Sequence, residues 1–467
     1  MSKFFTEGET KVRPGVYKRY FNAGASNGAA GAMNGVVAIA IQASWGPVGT
    51  VTTHTDASTI KETYGDCTGV NVALKALEAV NAVGTSPKIY VTRLQGTGGA
   101  AATATIGSVA TVTAKHVGNY PLKVKVQAKL SDATKKEVII LSGNSQKEKF
   151  EFVTNESDES EAFVAALADS KFVTATKKSA GVISAQETEL SGGTNPTCNN
   201  NDYLAGYEAL EPYSYNVIIS DSIESGVSSI LKNYVDSAYM DGKNAIAVVG
   251  SASSVDFSTR KANAAAMNDE KVVYFGSGYK LADGTTVDGA EAVAYIAGLI
   301  AATPSNRSIV HTQISGSVDV TEKLTNSEYE EAINSGLLLL SIGPDGQVWV
   351  DSGINTLITP NENQDAGWKK IKRVKVRFEL FDRIDKVLEP KIGKVNCDAD
   401  GIAYLIQCGS DVVEQMKAEG GKIATGSFAL DPNMGYQGDS SWFVIEIVDI
   451  DTLEKIYLHY QFKYSQV

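Results

Sequence analysis

The amino-acid sequence predicts an α/β protein whose parallel sheet is interrupted by a β-rich insertion and followed by an α+β region. First, apolar strand-like runs alternate with segments of helical spacing, which is typical of right-handed crossovers and a sheet covered on both faces. Second, two glycine-rich stretches, Gly96–Gly99 and Ser191–Thr194, enclose a block of alternating strand-like residues. Third, a strand-like segment lies near each end of the chain.

The first part of the sheet is predicted within residues 23–96. Val36–Ile41 is a continuous apolar run, which is typical of a buried parallel strand. Residues 70, 74, 77 and 80 form one apolar helix face, and Lys88–Arg93 is predicted to be a strand.

Residues 97–193 are predicted to form an inserted β-domain, since a peripheral module has its two ends close together. One helix is expected near Glu159–Ala168. The predicted strands are Thr103–Thr113, Leu122–Leu130, Glu137–Leu141 and Lys149–Val153.

The α/β pattern resumes in residues 194–345, and an α+β region follows in residues 346–452 after the break at Gly343–Gly346. The sheet strands are predicted at Asn216–Ser220, Ala245–Gly250, Val272–Gly276 and Leu337–Ile342, with helices at Ile223–Met240, Arg260–Met267 and Ala290–Ala301. The last region has a helix through Ile402–Met416 and strands at Ser427–Leu430 and Trp442–Val448.

The terminal segments, residues 1–22 and 453–467, each carry a strand pattern. Ile456–Tyr464 alternates apolar and polar residues, which predicts a half-buried strand. Val16–Phe21 is predicted to be a short edge strand, because Pro14 is tolerated only at an edge or a strand start. The C-terminal strand is either the last strand of its own domain or a strand lent to a neighbouring subunit.

Composition limits the function classes. The chain has 467 residues and a net charge of −12, which argues against nucleic-acid binding over its whole surface. Its four cysteines lie far apart without a CxxC pair, which favours reduced thiols. No run reaches signal-peptide or membrane-spanning character, so we expect a soluble, unexported chain.

Nucleotide-binding and nucleophile motifs are weak or absent. The sequence has no GxGxxG after a strand and no GxxxxGK[ST]. Gly24–Gly28 matches GxSxG only within a low-complexity stretch. Ser258–Lys261 matches SxxK without its partner motifs, so Ser258 is predicted to be a helix N-cap.

Metal motifs are equally weak. Asn396–Gly401 resembles the start of a calcium loop, but Gln407 stands where a bidentate Glu is needed. Asp398 or Asp400 is therefore predicted to be a helix N-cap. The histidines at positions 54, 116, 311 and 459 have no metal spacing. We expect no catalytic residue, no cofactor and no metal.

Six short motifs in order resemble the contractile phage tail sheath family, with greatest similarity to sheaths of Gram-positive phages and prophage-like particles. They are Arg13–Tyr17, Trp45–Pro47, Asn216–Ile218, Gly353–Thr356, Gly393–Asn396 and Ile447–Ile450. Their order and spacing cover nearly the whole chain.

The resemblance implies a β-sandwich domain inserted into a subtilisin-like α/β domain, a label that names a fold and confers no activity. It implies a C-terminal domain that accepts strands from the terminal arms of neighbouring subunits. The expected function is a structural subunit that polymerises helically around a tail tube and contracts to drive the tube through a cell envelope. The implied partners are other copies of the chain, the tube, the baseplate and the tail terminator, without nucleic acid or membrane insertion. The expected location is the virion tail, assembled in the host cytoplasm.

Two sets of residues are expected to carry assembly. The strand-donating set is Val16, Tyr17, Tyr20, Phe21, Ile456, Leu458, Tyr460 and Phe462. The second set places six positive charges within nine residues: Lys369, Lys370, Lys372, Arg373, Lys375 and Arg377. These cations either form a solvated face or point at acidic side chains of the tube. Two rival functions stay open: a soluble α/β enzyme with an accessory β-domain, and the sheath of a bacteriocin or secretion-type injection machine.

Overall fold

The structure is a computed structural model that describes residues 34–362 and 364–463, together with the backbone of residues 3–4 and 17–18. The contacts define two compact units. Among the described residues, one unit contains 34–375 and 452–463, and the other contains 3–4, 17–18 and 376–451. The chain has the predicted mixed α/β character; its finer division into six segments stays a prediction.

Residues 34–93 begin the sheet. Val36–Ile41 and Lys88–Arg93 are strands, and a helix lies between them, as predicted. A further strand and helix were not predicted, because Val51–His54 is short and polar. The elements are β3 (Val36–Ile41), β4 (Val51–His54), α1 (Ala57–Tyr64), α2 (Thr68–Val83) and β5 (Lys88–Arg93), after the parallel pair β1 (Lys3–Phe4) and β2 (Tyr17–Lys18).

The inserted residues form two antiparallel sheets around a shared apolar core. The predicted strand Thr103–Thr113 is a hairpin, because the chain turns at Gly107 with φ +57°. The entering and leaving chains pair at Thr97–Thr197 and Ala100–Thr194. The elements are β6 (Thr103–Ile106), β7 (Ala110–Ala114), β8 (Leu122–Ala128), β9 (Lys135–Ser142), β10 (Ser145–Val153), α3 (Ser160–Ala166), β11 (Val173–Lys177) and β12 (Gln186–Glu189).

Residues 199–350 complete the sheet. The predicted strand Leu337–Ile342 is divided, since its first half joins the large sheet and its second half pairs elsewhere. The elements are α4 (Asn200–Leu210), β13 (Val217–Ser220), α5 (Ser225–Met240), β14 (Ile246–Gly250), α6 (Phe257–Met267), β15 (Val272–Phe275), β16 (Tyr279–Leu281), β17 (Thr286–Val287), α7 (Gly289–Ala302), β18 (Ser317–Val320), α8 (Asn326–Asn334), β19 (Leu337–Leu338), β20 (Leu340–Ile342) and β21 (Val348–Val350).

The N-cap prediction for Ser258 was wrong. Asp256 occupies that position, and its carboxylate accepts hydrogen bonds from the backbone N–H groups of Ser258 and Thr259. A carboxylate that satisfies two of the unpaired donors at a helix start is the stronger cap, so Ser258 lies inside α6.

The seven-stranded sheet has the order β19-β15-β14-β13-β3-β5-β4, and every neighbouring pair is parallel except β4 with β5. Strand β3 is buried on both faces; Ala38 and Ala40 share a core with Tyr207 of α4 and Leu231 of α5. The sequence runs from β3 to β5 on one side and later from β13 outward on the other. The carboxyl ends of β3 and β13 therefore flank a topological switch point.

The second unit contains two helices and a small antiparallel sheet. Asp398 caps the second helix by accepting from the backbone N–H of Gly401, as predicted, rather than starting a calcium loop. Gly409 allows the ring of Phe428 to lie directly against this helix, since a Cβ there would be 2.4 Å from the ring. The elements are α9 (Ile371–Leu388), which begins in the first unit, α10 (Ala399–Ala418), β22 (Ile423–Leu430), β23 (Tyr436–Gln437), β24 (Ser440–Ser441) and β25 (Phe443–Asp449).

Trp45 and Arg93 join the insertion to the large sheet. The Trp45 ring is 4% exposed and stacks on Tyr120 and Phe172, at centroid distances of 5.2 and 5.7 Å. The Arg93 guanidinium is fully buried and donates to the carbonyl oxygens of Gly46 and Val117, both at 2.7 Å. The insertion thus covers groups that the sheet alone would expose.

Replacing residues 99–192 with a short Gly/Ser linker is expected to preserve the helical far-UV CD signal and to lower Tm. All strands of the large sheet lie outside the replaced segment, but Trp45 loses its stacked rings and Arg93 loses the Val117 carbonyl. Arg93→Met in the intact chain should cost about 1.5–3 kcal/mol for each lost charged hydrogen bond. In the linker variant Arg93 keeps only the Gly46 carbonyl, so the same substitution should cost less there. Loss of the helical signal in the linker variant would contradict this account.

Candidate assembly surfaces

The C-terminal segment exposes large apolar side chains. Residues 452–463 form no helix or strand in the described chain. The rings of Tyr460 and Phe462, two residues apart, stack at 6.3 Å with 15° between their planes, so they share one side of the segment. The exposed fractions are 81% for Leu453, 72% for Ile456, 80% for Tyr457, 66% for Leu458, 74% for Tyr460 and 89% for Phe462.

This geometry bears on the two predictions for the segment. Residues 456–463 join no sheet within the described chain, so a last strand of their own domain is not observed. Donation to a neighbouring subunit stays a prediction. At the other end, Val16, Tyr20 and Phe21 lie outside the described residues, and Tyr17 is described only as backbone in β2.

The six cations of the basic segment do not share one exposed face, which corrects the placement of Lys372 and Lys375 among the tube-facing candidates. Lys372 and Lys375 are buried, at 3% and 9% exposure. The Lys375 ammonium donates to the carbonyl oxygens of Ile300 and Thr303 at the end of α7. The Lys369 ammonium likewise donates to the Ile333 carbonyl near the end of α8.

Lys369 and Lys375 donate hydrogen bonds to backbone carbonyls at helix C-termini. The last carbonyls of a helix have no partner within it, and its C-terminal end carries partial negative charge, so an ammonium is stabilising there. Burial lowers the pKa of Lys369. Sequence reasoning missed this role because nothing in Lys369–Arg377 shows which helix ends lie nearby.

The remaining cations are partly exposed. Lys370 forms an ion pair with Glu454, at the base of the C-terminal segment. Arg373 pairs with Asp365, at 3.0 Å between Nη1 and Oδ1. Arg377 is half-buried. Only Lys370, Arg373 and Arg377 therefore stay candidates for contact with a tube.

The sheet of the second unit could accept further strands. Strands β22 and β25 pair only with each other among the described residues, so each has one unpaired edge. On β25, Phe443, Ile445 and Ile447 pack against the core of the unit, while Glu446 and Val448 are exposed. An exposed edge is a template for pairing with another chain, and two strands alone are only marginally stable.

A polar cleft of about 250 Å³ lies at the topological switch point. Asp221, which follows β13, accepts from the Tyr203 hydroxyl and from the backbone N–H of Gln42, both at 2.7 Å. Burial raises the pKa of Asp221 to about 6. Cys67 and Cys198 also line the cleft, and burial raises the pKa of Cys198 to about 11.

The four histidines contact hydroxyl groups, aromatic rings or solvent. His54 hydrogen-bonds to Thr52 and Thr59, and burial lowers its pKa. His116 meets the Trp45 ring edge-on, His311 stacks on Trp349, and His459 is exposed. Within the described part of the chain, none of these imidazoles hydrogen-bonds to a carboxylate, which a Ser-His-Asp arrangement requires.

Within the part of the chain that the structure describes, no group of three or more His, Cys, Asp or Glu side chains is arranged to hold a metal ion. No helix in residues 34–362 or 364–463 is long and apolar enough to cross a membrane.

Solved structures share this fold. The sheath tail protein of Desulfitobacterium hafniense superposes with a TM-score of 0.74 at 20% identity, covering 93% of this chain and all of that one. The helical sheath of the anti-feeding prophage in its contracted state superposes with a TM-score of 0.58 at 11% identity, covering 97% of this chain and 99% of that one. The fold is therefore that of contractile tail sheath proteins.

Sequence comparison identifies the central part of the chain. Residues 197–356 match the phage tail sheath protein central domain. The chain is 24% identical over 486 residues to the phage-like element PBSX protein XkdK of Bacillus subtilis strain 168, covering 97% of this chain and 98% of the relative. This chain therefore contains a phage tail sheath protein central domain, and its structural neighbours are sheath proteins.

Replacing Asp221 with Asn should remove a pH dependence of stability. The folded-state pKa of about 6 exceeds the ordinary value, so this carboxyl destabilises the fold increasingly as the pH rises from 4 to 7. The loss is at most about 3 kcal/mol, at about 1.4 kcal/mol per pKa unit. Thermal unfolding should show the Tm of D221N rising relative to wild type over that range. A constant difference between D221N and wild type would contradict the assignment.

Proposed function

We propose that this chain is the structural subunit of a contractile tail sheath that polymerises helically around a tail tube and contracts to drive the tube through a cell envelope. The observation that carries the proposal is the exposed apolar C-terminal segment, residues 453–463. A side chain of this kind gains up to about 1.5–3 kcal/mol when it is buried. Four of them on one face of a donated strand supply a strong reason to associate.

The proposed contact between the C-terminal segment of one copy and the sheet of the next determines how the copies associate. A segment of one copy that binds a different surface of the next makes a heterologous contact, which generates an open helical polymer when the rotation does not close a ring. The unpaired edges of β22 and β25 provide the acceptor. Each backbone hydrogen bond across such an edge adds about 0.5–1.5 kcal/mol.

The remaining parts fit the same proposal. The insertion, residues 97–193, lies on the outer surface of the sheath, where its size varies at little cost. The tube, the baseplate and the tail terminator are the further partners, and the virion tail is the location. The anti-feeding prophage relative is a helical sheath in a contracted state, which supports contraction and fits an injection machine as well as a phage.

Ending the chain after Glu454 is expected to abolish polymerisation while leaving a folded monomer. Residues 455–463 form no helix or strand in the described chain, and the Lys370–Glu454 ion pair is retained. Far-UV CD and Tm should therefore match those of the full chain. Negative-stain microscopy and sedimentation should show rods or hollow sheaths for the full chain and monomers for the shortened one.

Matched double variants test which face matters. Ile456→Ser with Leu458→Ser should impair assembly, whereas Tyr457→Ser with His459→Ser on the opposite face should assemble nearly normally. Normal sheaths from the shortened chain would overturn strand donation. A monodisperse globule of the full chain with enzymatic turnover would favour the enzyme instead.

Reversing the charge of Arg373 should weaken extended sheaths on tubes and spare tube-free contracted polymers. Arg373 is a partly exposed cation of the basic segment, and Arg373→Glu places two carboxyl groups together at Asp365. Exposed ion pairs contribute about 0–1 kcal/mol each and are screened by salt, so the defect should be largest at low ionic strength.

The control for this charge reversal is Lys178→Glu, which changes an exposed cation of the insertion. Co-sedimentation with purified tubes at low and high salt measures both variants. Equal tube coating by R373E and wild type at both salt concentrations would show that the cation is only solvated.

A further inference from the structure

A pocket of about 240 Å³ opens in the second unit at the start of β25. Its volume is several times the ~30 Å³ of one water molecule in the liquid, so it has room for a large side chain. Ile392 is 78% exposed at the pocket, although its side chain is apolar. The apolar lining comes from Leu388, Ile392, Val395, Ile402, Leu405 and Phe443.

Strand β25 begins at this pocket. Strand β25 has seven residues, and Phe443 forms both its first residue and part of the pocket lining. Ile456–Phe462 also has seven residues and the same alternation of apolar and polar positions. A strand added along the edge therefore ends beside the pocket.

An antiparallel register makes this match specific. If Ile456 pairs with Asp449, Leu458 lies opposite Ile447 and Tyr460 opposite Ile445, on the face of β25 that packs against the core. Side chains directly opposite each other on one face stabilise a sheet. In this register His459 lies opposite the exposed Glu446, and Phe462 lies opposite Phe443 at the pocket.

We propose that the pocket at the start of β25 receives the Phe462 side chain of a neighbouring copy and thereby fixes the register of the donated strand. The inference rests on the proposed function and adds to it the residue that anchors the strand. Register needs such a device, because a slip of one residue would turn the whole apolar face of the donated strand away from the core.

The parallel arrangement is the alternative. It places Ile456 at Phe443 and leaves Phe462 beside Asp449. The antiparallel arrangement is favoured because β25 already pairs in this way with β22 and antiparallel ladders are slightly more stable per residue. It also places Phe462, which is 89% exposed in its own chain, beside the apolar side chains that line part of the pocket.

A native thiol in the pocket makes the proposal testable in the full chain. Cys397 lines the pocket and is partly exposed. Polymers of F462C, treated with a mild oxidant, should form an intermolecular disulfide to Cys397, seen on non-reducing gels and by peptide mass spectrometry. The disulfide should be lost in F462C/C397S and absent in L458C, whose register position lies four residues from Phe443.

Affinity gives a second measurement. The critical concentration for polymerisation should rise about tenfold or more for Phe462→Ala, since burial of an aromatic side chain is lost. Tyr457→Ala, which removes a similarly exposed ring from the other face, should change it at most about twofold.

The outcomes separate the anchor from the proposed function. A disulfide from I456C to Cys397 in place of F462C would overturn the antiparallel register. Polymers of F462C that form no such disulfide, together with unchanged assembly of F462A, would overturn the anchor and leave strand donation standing. Failure of the wild-type chain to polymerise would overturn both.

Discussion

The fold depends on a buried cation at the carboxyl end of β5. The guanidinium of Arg93 donates one hydrogen bond to the carbonyl of Gly46, in the loop after β3, and another to the carbonyl of Val117, in the insertion. A buried charge is costly unless it is hydrogen-bonded, so both loops must be in place before this side chain is stable. One residue thus couples the order of the sheet to the seating of the insertion, beside the Trp45 ring that the insertion covers.

The motifs that carry the family resemblance stabilise the packing of this chain. In Gly353–Thr356, the Thr356 hydroxyl donates to the Asp269 carbonyl, and Asn355 donates its side-chain N–H to the Trp368 carbonyl. Both side chains are fully buried. In Trp45–Pro47, Gly46 has φ +95°, and a Cβ there would lie 2.4 Å from the Thr63 carbonyl oxygen. Such motifs identify a fold because they meet packing demands.

Long periodic segments were predictable from the sequence, and local contacts were not. Val36–Ile41 is a strand because a continuous apolar run suits a sheet buried on both faces. The basic segment misled because charge in a sequence says nothing about neighbours in space: Lys375 is buried at the end of α7. The C-terminal alternation predicted a strand, but residues 456–463 join no sheet within the described part of the chain.

A sheath that stores energy needs contacts of two kinds, and this chain has candidates for both. In the proposed sheath, strand addition at β25 is directional and extended, so copies joined by it would stay connected while they rotate relative to one another. The ion pairs of Lys370 with Glu454 and of Arg373 with Asp365 lie within one chain, so a contact of either cation with a tube would compete with a partner that is already present. Exposed ion pairs are individually weak and screened by salt, so tube contacts of that strength would break one after another without a large barrier. The proposed sheath therefore combines an apolar contact between copies, which persists, with ionic contacts to the tube, which can be released.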